Sequence, residues 1–166
     1  MTDVRCAVVS DLPALTEIYN HYVVNTPATF DIDPFTVEAR RDWFDHYRDC
    51  GRHRLLVAVD GDSIVGYASS SRFRVKPAYD TSVEVTVYLD PEATGRGIGS
   101  ALYARLFDEL HGEEVHRAYA GIALPNDASV ALHRKFGFVE MGTMTEVGRK
   151  FGEWWDVLWM ERSLAT

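Results

Sequence analysis

The first part of the chain changes from a strand pattern to a helix pattern. Apolar residues occupy alternate positions of segment 4–8, which predicts a strand. In segment 15–22 they fall at i, i+3, i+4 and i+7, which predicts a helix, and the cap residues and proline of 10–13 mark its start. Segment 25–34 is interpreted as a loop, and a second helix is expected after Thr36.

The rest of the chain predicts further strands separated by two more helices. Apolar runs at 55–59 and 64–70, joined by a turn at 60–62, predict a hairpin. Further strands are predicted at 83–89, 117–123, 138–140 and 155–161, and helices after 95–99 and over 126–136, with Gly137 ending the last. No repeat or linker interrupts this order, so we expect one α/β domain over residues 1–166.

Composition restricts the partners more than it restricts the fold. A net charge of −8 makes nucleic acids and anionic membrane surfaces poor partners. Cys6 and Cys50 have no metal-binding spacing; a disulfide stays possible, but two buried thiols are expected. With no visible signal peptide or membrane-spanning run, we expect the protein to be cytoplasmic.

A glycine-rich turn is the sharpest local signal. Gly95-Arg96-Gly97-Ile98-Gly99-Ser100 lies between a predicted strand and an amphipathic helix. Glycines there allow positive φ and close approach of a ligand, and amides at a helix N-terminus favour an anion such as pyrophosphate. The Walker lysine is missing and the dinucleotide-binding glycine spacing is wrong. A turn that serves packing alone is the structural alternative.

Several separate segments occur together with this turn. They are 18–21, 29–30, 65–68, 83–88, 94–99, 124–129, 132–133, 136–138 and 152–156. In this order they resemble the GCN5-related N-acetyltransferase (GNAT) superfamily, and within it the phosphinothricin and methionine sulfoximine acetyltransferase group. The resemblance implies a single-domain GNAT fold, with a twisted, mostly antiparallel mixed sheet, splayed central strands and flanking helices. It also implies acetyl-CoA as cosubstrate, a homodimer and no metal.

The resemblance implies a set of coenzyme-binding residues. Val87, Tyr88 and Leu89 would meet the pantetheine and acetyl group, and Asn126 would contact the pantetheine. Gly95, Arg96, Gly97, Ile98, Gly99 and Ser100 would hold the pyrophosphate. Lys135 either touches the phosphates or is solvated. The family places Gln or Arg where this chain has Thr94, which would weaken the phosphate site slightly.

The chemistry of acetyl transfer suggests two catalytic candidates. An amine attacks a thioester only when it is neutral, so a base is needed. Glu84 lies where the family places its catalytic carboxylate; the alternative is a strand residue pointing to solvent. His133 would protonate or orient the leaving thiol, or else it would only hydrogen-bond within the fold. Tyr88 is expected to have a packing role.

Loop residues are the candidates for binding the acceptor. Arg74 would bind a carboxylate, Phe30 and Tyr79 would form the walls of the pocket, and Ser82 would hydrogen-bond the acceptor. Phosphinothricin or methionine sulfoximine is the expected acceptor. Asp80, where relatives often carry Arg, keeps a cationic amine possible, and a protein N-terminus or a non-catalytic acyl-CoA-binding module are further alternatives.

Overall fold

The computed structural model describes residues 2–165, which form seven strands and four α-helices. The strands are β1 (Asp3–Cys6), β2 (Leu55–Asp60), β3 (Ser63–Arg72), β4 (Ser82–Leu89), β5 (Arg117–Ala123), β6 (Val139–Lys150) and β7 (Glu153–Ser163). The helices are α1 (Leu12–Asn25), α2 (Arg41–Phe44), α3 (Ile98–Leu110) and α4 (Asp127–Lys135). No helix among these residues is long and apolar enough to cross a bilayer.

The strands form one sheet whose centre is split. Their order is β1-β2-β3-β4-β5-β7-β6, and every neighbouring pair is antiparallel except β4 and β5. The parallel pair is bonded only where residues 82–84 meet residues 117–119. Beyond Glu84 the two strands diverge and leave a gap. The predicted mixed sheet with splayed central strands is confirmed.

Alternation along β4 divides the core between two faces of the sheet. Val83 and Val85 are buried against α3, where Leu102 and Leu106 contribute the apolar stripe. The opposite face packs against α1 and includes Tyr67 of the neighbouring strand β3. Successive β4 side chains therefore reach different environments, which matters for the site.

Two predicted elements have different lengths in the structure. The helix expected after Thr36 is only one turn, α2, although Trp43 and Tyr47 pack against the α1 side of the core as expected. Strand β6 runs for 12 residues rather than three. It lies at the sheet edge and is mostly exposed, so no apolar alternation marks it; its pairing with β7 defines it.

The cysteine prediction is partly wrong. Cys6 and Cys50 are both free, but Cys6 is only half-buried at the margin of the core, and Cys50 is exposed because it lies in the polar loop before β2.

Candidate active site

The gap between β4 and β5 opens into a cavity of about 500 Å³, here called the large cavity. The glycine turn, α3 and α4 complete its walls. It brings together ten of the predicted coenzyme-binding residues, which are Val87, Tyr88, Leu89, Gly95, Gly97, Ile98, Gly99, Ser100, Asn126 and Lys135.

One edge of β4 is free along this cavity. Residues 85–89 pair with β3 on one side, but on the side that faces the gap no strand within residues 2–165 pairs with them. A row of backbone NH and C=O groups is thus available to an extended ligand, as in strand addition. The geometry suits the amide-containing arm of a coenzyme.

The glycine turn adopts the backbone that its sequence predicts. Gly95 has a φ of 74° and Gly97 has a φ of 79°, and Gly97 is the N-cap of α3. The first amides of α3 lack intrahelical acceptors, so they can bind an anion together with the helix dipole. The Lys135 Nζ donates to the Ser100 Oγ at 2.9 Å, which adds a positive charge at the same helix end.

Two residues of the turn have local partners. The Arg96 guanidinium is 2.5 Å from the Asp60 carboxylate and does not line the large cavity, so its charge is partly neutralised. The hydroxyl of Thr94, which replaces the family's Gln or Arg, donates to the Pro91 carbonyl at 3.1 Å. The backbone amides and Lys135 therefore remain as the main groups for a phosphate.

These features together fit acetyl-CoA. The free β4 edge suits the pantetheine, and the α3 N-terminus with its left-handed glycines suits the pyrophosphate. Gly99 also allows α3 to pack closely on α4, since an added Cβ would lie 3.2 Å from Leu132.

His133 lines the large cavity, but both of its ring nitrogens are engaged. Its Nδ1 is 2.7 Å from the Ser129 carbonyl, which can only accept, so we assign the proton to Nδ1. The Nε2 then accepts from the Tyr103 hydroxyl at 2.9 Å. Burial lowers the pKa of His133, although the Ser129 contact opposes this. A neutral imidazole with a hydrogen bond at each nitrogen is typical of a residue that positions neighbouring groups rather than one that donates a proton.

Glu84 lies on the other face of β4, together with Ser82, Thr86 and Tyr88. Burial raises the pKa of Glu84, and the nearby positive charge of Arg74 has a smaller, opposite effect. Glu84 is thus a half-buried carboxylate rather than a strand residue that points to solvent.

A second cavity of about 200 Å³, here called the small cavity, lies between this face of the sheet and the segment around α2. Thr86 and Tyr88 line both cavities, so the two meet at β4. Its other lining residues are Tyr19, Asp31, Phe35, Ala39, Arg40, Trp43, Tyr47, Tyr67, Ser69 and Ser71. The sequence analysis did not identify Arg40 as a site residue. The available signal was its position three residues before Trp43, which also lines the small cavity.

The loop between α1 and α2 borders both cavities. Ala28 lines the large cavity and Asp31 lines the small one, and Phe30 lies between them in sequence. The Lys150 Nζ holds this loop by donating to the carbonyls of residues 26 and 29, each at 2.8 Å. The Phe30 ring packs against Gly148, where an added Cβ would overlap the ring.

The remaining acceptor candidates are less closely grouped. The Arg74 guanidinium lies 4.6 Å from the centre of the Phe73 ring and influences Glu84 electrostatically. Ser82 begins β4 on the face of Glu84. Tyr79 is exposed and contacts Phe73. The residues that line the two cavities do not include Phe30, Arg74, Tyr79, Ser82 or Glu84.

Comparison with known proteins identifies the family to which this fold belongs. The profile of the acetyltransferase (GNAT) family matches residues 15–138. A phosphinothricin N-acetyltransferase of Streptomyces coelicolor is 60% identical over 97% of this chain and 95% of its own. A methionine sulfoximine and methionine sulfone acetyltransferase of Pseudomonas aeruginosa is 36% identical over 97% and 94%, respectively.

A solved structure agrees with these sequences. The crystal structure of a phosphinothricin acetyltransferase of the GNAT superfamily from Sinorhizobium meliloti, in complex with acetyl-CoA, superimposes with a TM-score of 0.93. It is 36% identical and covers 99% of this chain and 89% of its own. The family, the activity class and the cosubstrate predicted from sequence are thereby confirmed. The chain belongs to the acetyltransferase (GNAT) family and is an N-acetyltransferase that uses acetyl-CoA as its cosubstrate.

Proposed function

We propose that this enzyme acetylates the amine of a small, anionic amino acid of the phosphinothricin and methionine sulfoximine type. The relatives named above act on such compounds. The observation that carries the proposal is the junction of the two cavities at Thr86 and Tyr88. An acceptor in the small cavity would present its amine to a thioester in the large one.

Acetyl-CoA supplies an activated acetyl group when bound. The free edge of β4 orients the pantetheine, and the amides and Lys135 at the start of α3 hold the pyrophosphate. Asn126 also lies in the large cavity and caps α4 by accepting from the Ser129 amide at 3.2 Å. Backbone amides near Val87 and Leu89 stabilise negative charge that develops on the thioester oxygen.

Glu84 acts as general base for direct attack by the acceptor amine. It receives the amine proton directly or through one water molecule. Its raised pKa brings it closer to the range in which a carboxylate is an effective base at neutral pH. His133 has an orienting role, because it has no free proton to donate.

The charged side chains near the proposed acceptor site favour an anionic acceptor. Arg74, near Glu84, binds the carboxylate adjacent to the amine, while Phe30, Tyr79 and Ser82 contact the rest of the acceptor. The Asp80 carboxylate is 3.8 Å from the Arg72 guanidinium, so its charge is partly compensated. This compensation weakens the case for a cationic acceptor.

An acceptor screen tests the proposal. Coenzyme A release is measured with phosphinothricin, methionine sulfoximine, spermidine, kanamycin and an alanine-terminated peptide. We expect kcat/KM for the two amino acids to exceed the others by at least about 100-fold, because Arg74 offers a carboxylate beside the reacting amine a charge-assisted hydrogen bond that the other compounds cannot use. Preference for spermidine or the peptide would contradict it. Binding of acetyl-CoA without thiol release would indicate a non-catalytic module.

The contact of Phe30 with Gly148 gives a prediction about acceptor binding. In Gly148→Ala the new methyl group overlaps the Phe30 ring, so the ring must move away from β6, and the loop between α1 and α2 that carries it must shift. We expect KM for the acceptor to rise about 3- to 10-fold, with KM for acetyl-CoA unchanged. The matched control is Gly142→Ala in the same strand, where a Cβ meets nothing within 4 Å. Equal effects of the two variants on acceptor KM would contradict the role of Phe30.

A homodimer and a cytoplasmic location also remain proposals. The sheet-edge hairpin β6–β7 exposes large apolar side chains, which are Val139, Met141, Met144, Val147, Phe151 and Trp154, and a second copy could cover them. Two free thiols are compatible with a reducing compartment. Sedimentation equilibrium and cell fractionation test these two proposals; a monomer or a secreted protein would refute the corresponding one.

A further inference from the structure

Arg40 is a buried cation that lacks an anionic partner. Only 4% of the residue is exposed. Its Nη1 is buried and makes no hydrogen bond within residues 2–165, and it forms no salt bridge to a carboxylate of those residues. Buried charges in proteins are ordinarily paired, because an unpaired one has lost its hydration without replacement. The Arg40 guanidinium therefore lacks both a hydrogen-bond acceptor at Nη1 and an anionic partner.

Aromatic rings pack against the guanidinium but provide no anionic partner. Its carbon lies 3.8 Å from the centre of the Trp43 ring and 4.2 Å from that of Tyr19. Such contacts stabilise the positive charge through the ring faces. The Tyr67 hydroxyl adds a neutral hydrogen-bonding neighbour of Arg40, but Nη1 still has no acceptor within residues 2–165. The rings thus fix Arg40 in position and leave Nη1 for another group.

The small cavity offers Arg40 a set of hydroxyl neighbours. Arg40 lines it together with Ser69, Thr86 and Tyr47. The Ser69 and Thr86 hydroxyls are 2.8 Å apart, and Ser69 is buried. Asp31 is the one carboxylate among the lining residues, and its Oδ2 already accepts from the Tyr19 hydroxyl. A guanidinium and several hydroxyls around one small cavity suit a compact group that carries oxygen atoms.

We propose that Arg40 binds the oxygen atoms at the side-chain end of the acceptor. This inference rests on the proposed function and deepens it. The Arg74 guanidinium lies over the Phe73 ring, and Phe73 stacks on Tyr119, the strand partner of Glu84, so we assign Arg74 to the carboxylate beside the reacting amine. The acceptor side chain then extends into the small cavity, where Arg40 binds a phosphinate, sulfone or sulfoximine oxygen. Arg40 thereby selects acceptors with an oxygenated phosphorus or sulfur atom over a plain thioether.

Four acceptors with one backbone and different side-chain ends test the assignment. They are phosphinothricin, methionine sulfone, methionine sulfoximine and methionine. In Arg40→Met we expect kcat/KM to fall about 10- to 100-fold for the three oxygenated acceptors and less than about 3-fold for methionine. KM for acetyl-CoA is expected to stay unchanged. Equal losses for all four acceptors would show that Arg40 is only structural, and no loss would show that it binds nothing.

A second measurement covers the case in which Arg40→Met does not fold. Arg40→Lys keeps the charge but loses the planar pair of donors. We expect calorimetry to show about 10-fold weaker binding of phosphinothricin to Arg40→Lys than to the wild type, and an unchanged Kd for methionine. Equal Kd values for phosphinothricin in the two proteins would overturn the assignment. Calorimetry needs no turnover, so a wild type that acetylates none of these acceptors refutes the proposed function separately.

Discussion

Replacing Glu84 with Gln is expected to lower kcat by about 10²- to 10⁴-fold while leaving the Kd of acetyl-CoA unchanged. The amide keeps the size of the side chain but cannot accept the amine proton. Since the charged carboxylate is the base, wild-type activity should rise as the pH rises through the pKa of Glu84, which burial raises above its ordinary value. The Gln variant should lack that limb. Stopped-flow or steady-state pH profiles of kcat/KM measure both effects.

The control for this variant is an exposed carboxylate in the sheet-edge hairpin β6–β7. Glu153→Gln changes an exposed glutamate at the start of β7 and should leave kcat within about 2-fold of the wild type. Because burial disfavours a charged carboxylate, Glu84→Gln should unfold no more easily than the wild type. A kcat within a few-fold of the wild type, or loss of the acid limb in Glu153→Gln as well, would refute Glu84 as the base.

Replacing Gly97 with Val is expected to raise the Kd of acetyl-CoA about 10- to 100-fold. Gly97 has a φ of 79°, a conformation that a β-branched residue adopts only with strain. The turn should leave that conformation, so the amides at the start of α3 would no longer converge on the pyrophosphate. Calorimetric titration with acetyl-CoA measures the change.

Gly112 provides a matched control for backbone strain. It follows α3 with a φ of 89°, and an added Cβ there meets nothing within 4 Å, as at Gly97. Gly112→Val should lose a similar amount of thermal stability, but it should bind acetyl-CoA as the wild type does. Similar Kd increases in both variants would mean that destabilisation, and not the anion site, explains the loss.

The large cavity was more predictable from sequence than the small one. Strand β4, the glycine turn and helix α3 follow each other along the chain, and alternation, positive-φ glycines and helical periodicity mark each of them locally. The small cavity joins Arg40 to Ser69 and Thr86, which are distant in sequence. Its formation depends on how the segment around α2 packs across β3 and β4, and no local pattern encodes that contact.

The hydrogen bonding of His133 also could not be predicted from local sequence patterns. The sequence places His133 two turns after Asn126 on one helix face, and in the structure both residues line the large cavity. Its partner Tyr103 belongs to α3 and lies 30 residues earlier. Only the packed structure shows that this hydroxyl bonds the ring nitrogen that would otherwise serve the leaving thiol.

A crystal structure of the enzyme with coenzyme A and phosphinothricin tests the central claim most directly. We predict that the acceptor amine lies about 3–3.5 Å from the position of the acyl carbon, beside Thr86 and Tyr88, and within reach of Glu84 directly or through one water. An acceptor bound away from the small cavity, or an amine screened from Glu84 by intervening side chains, would contradict the account.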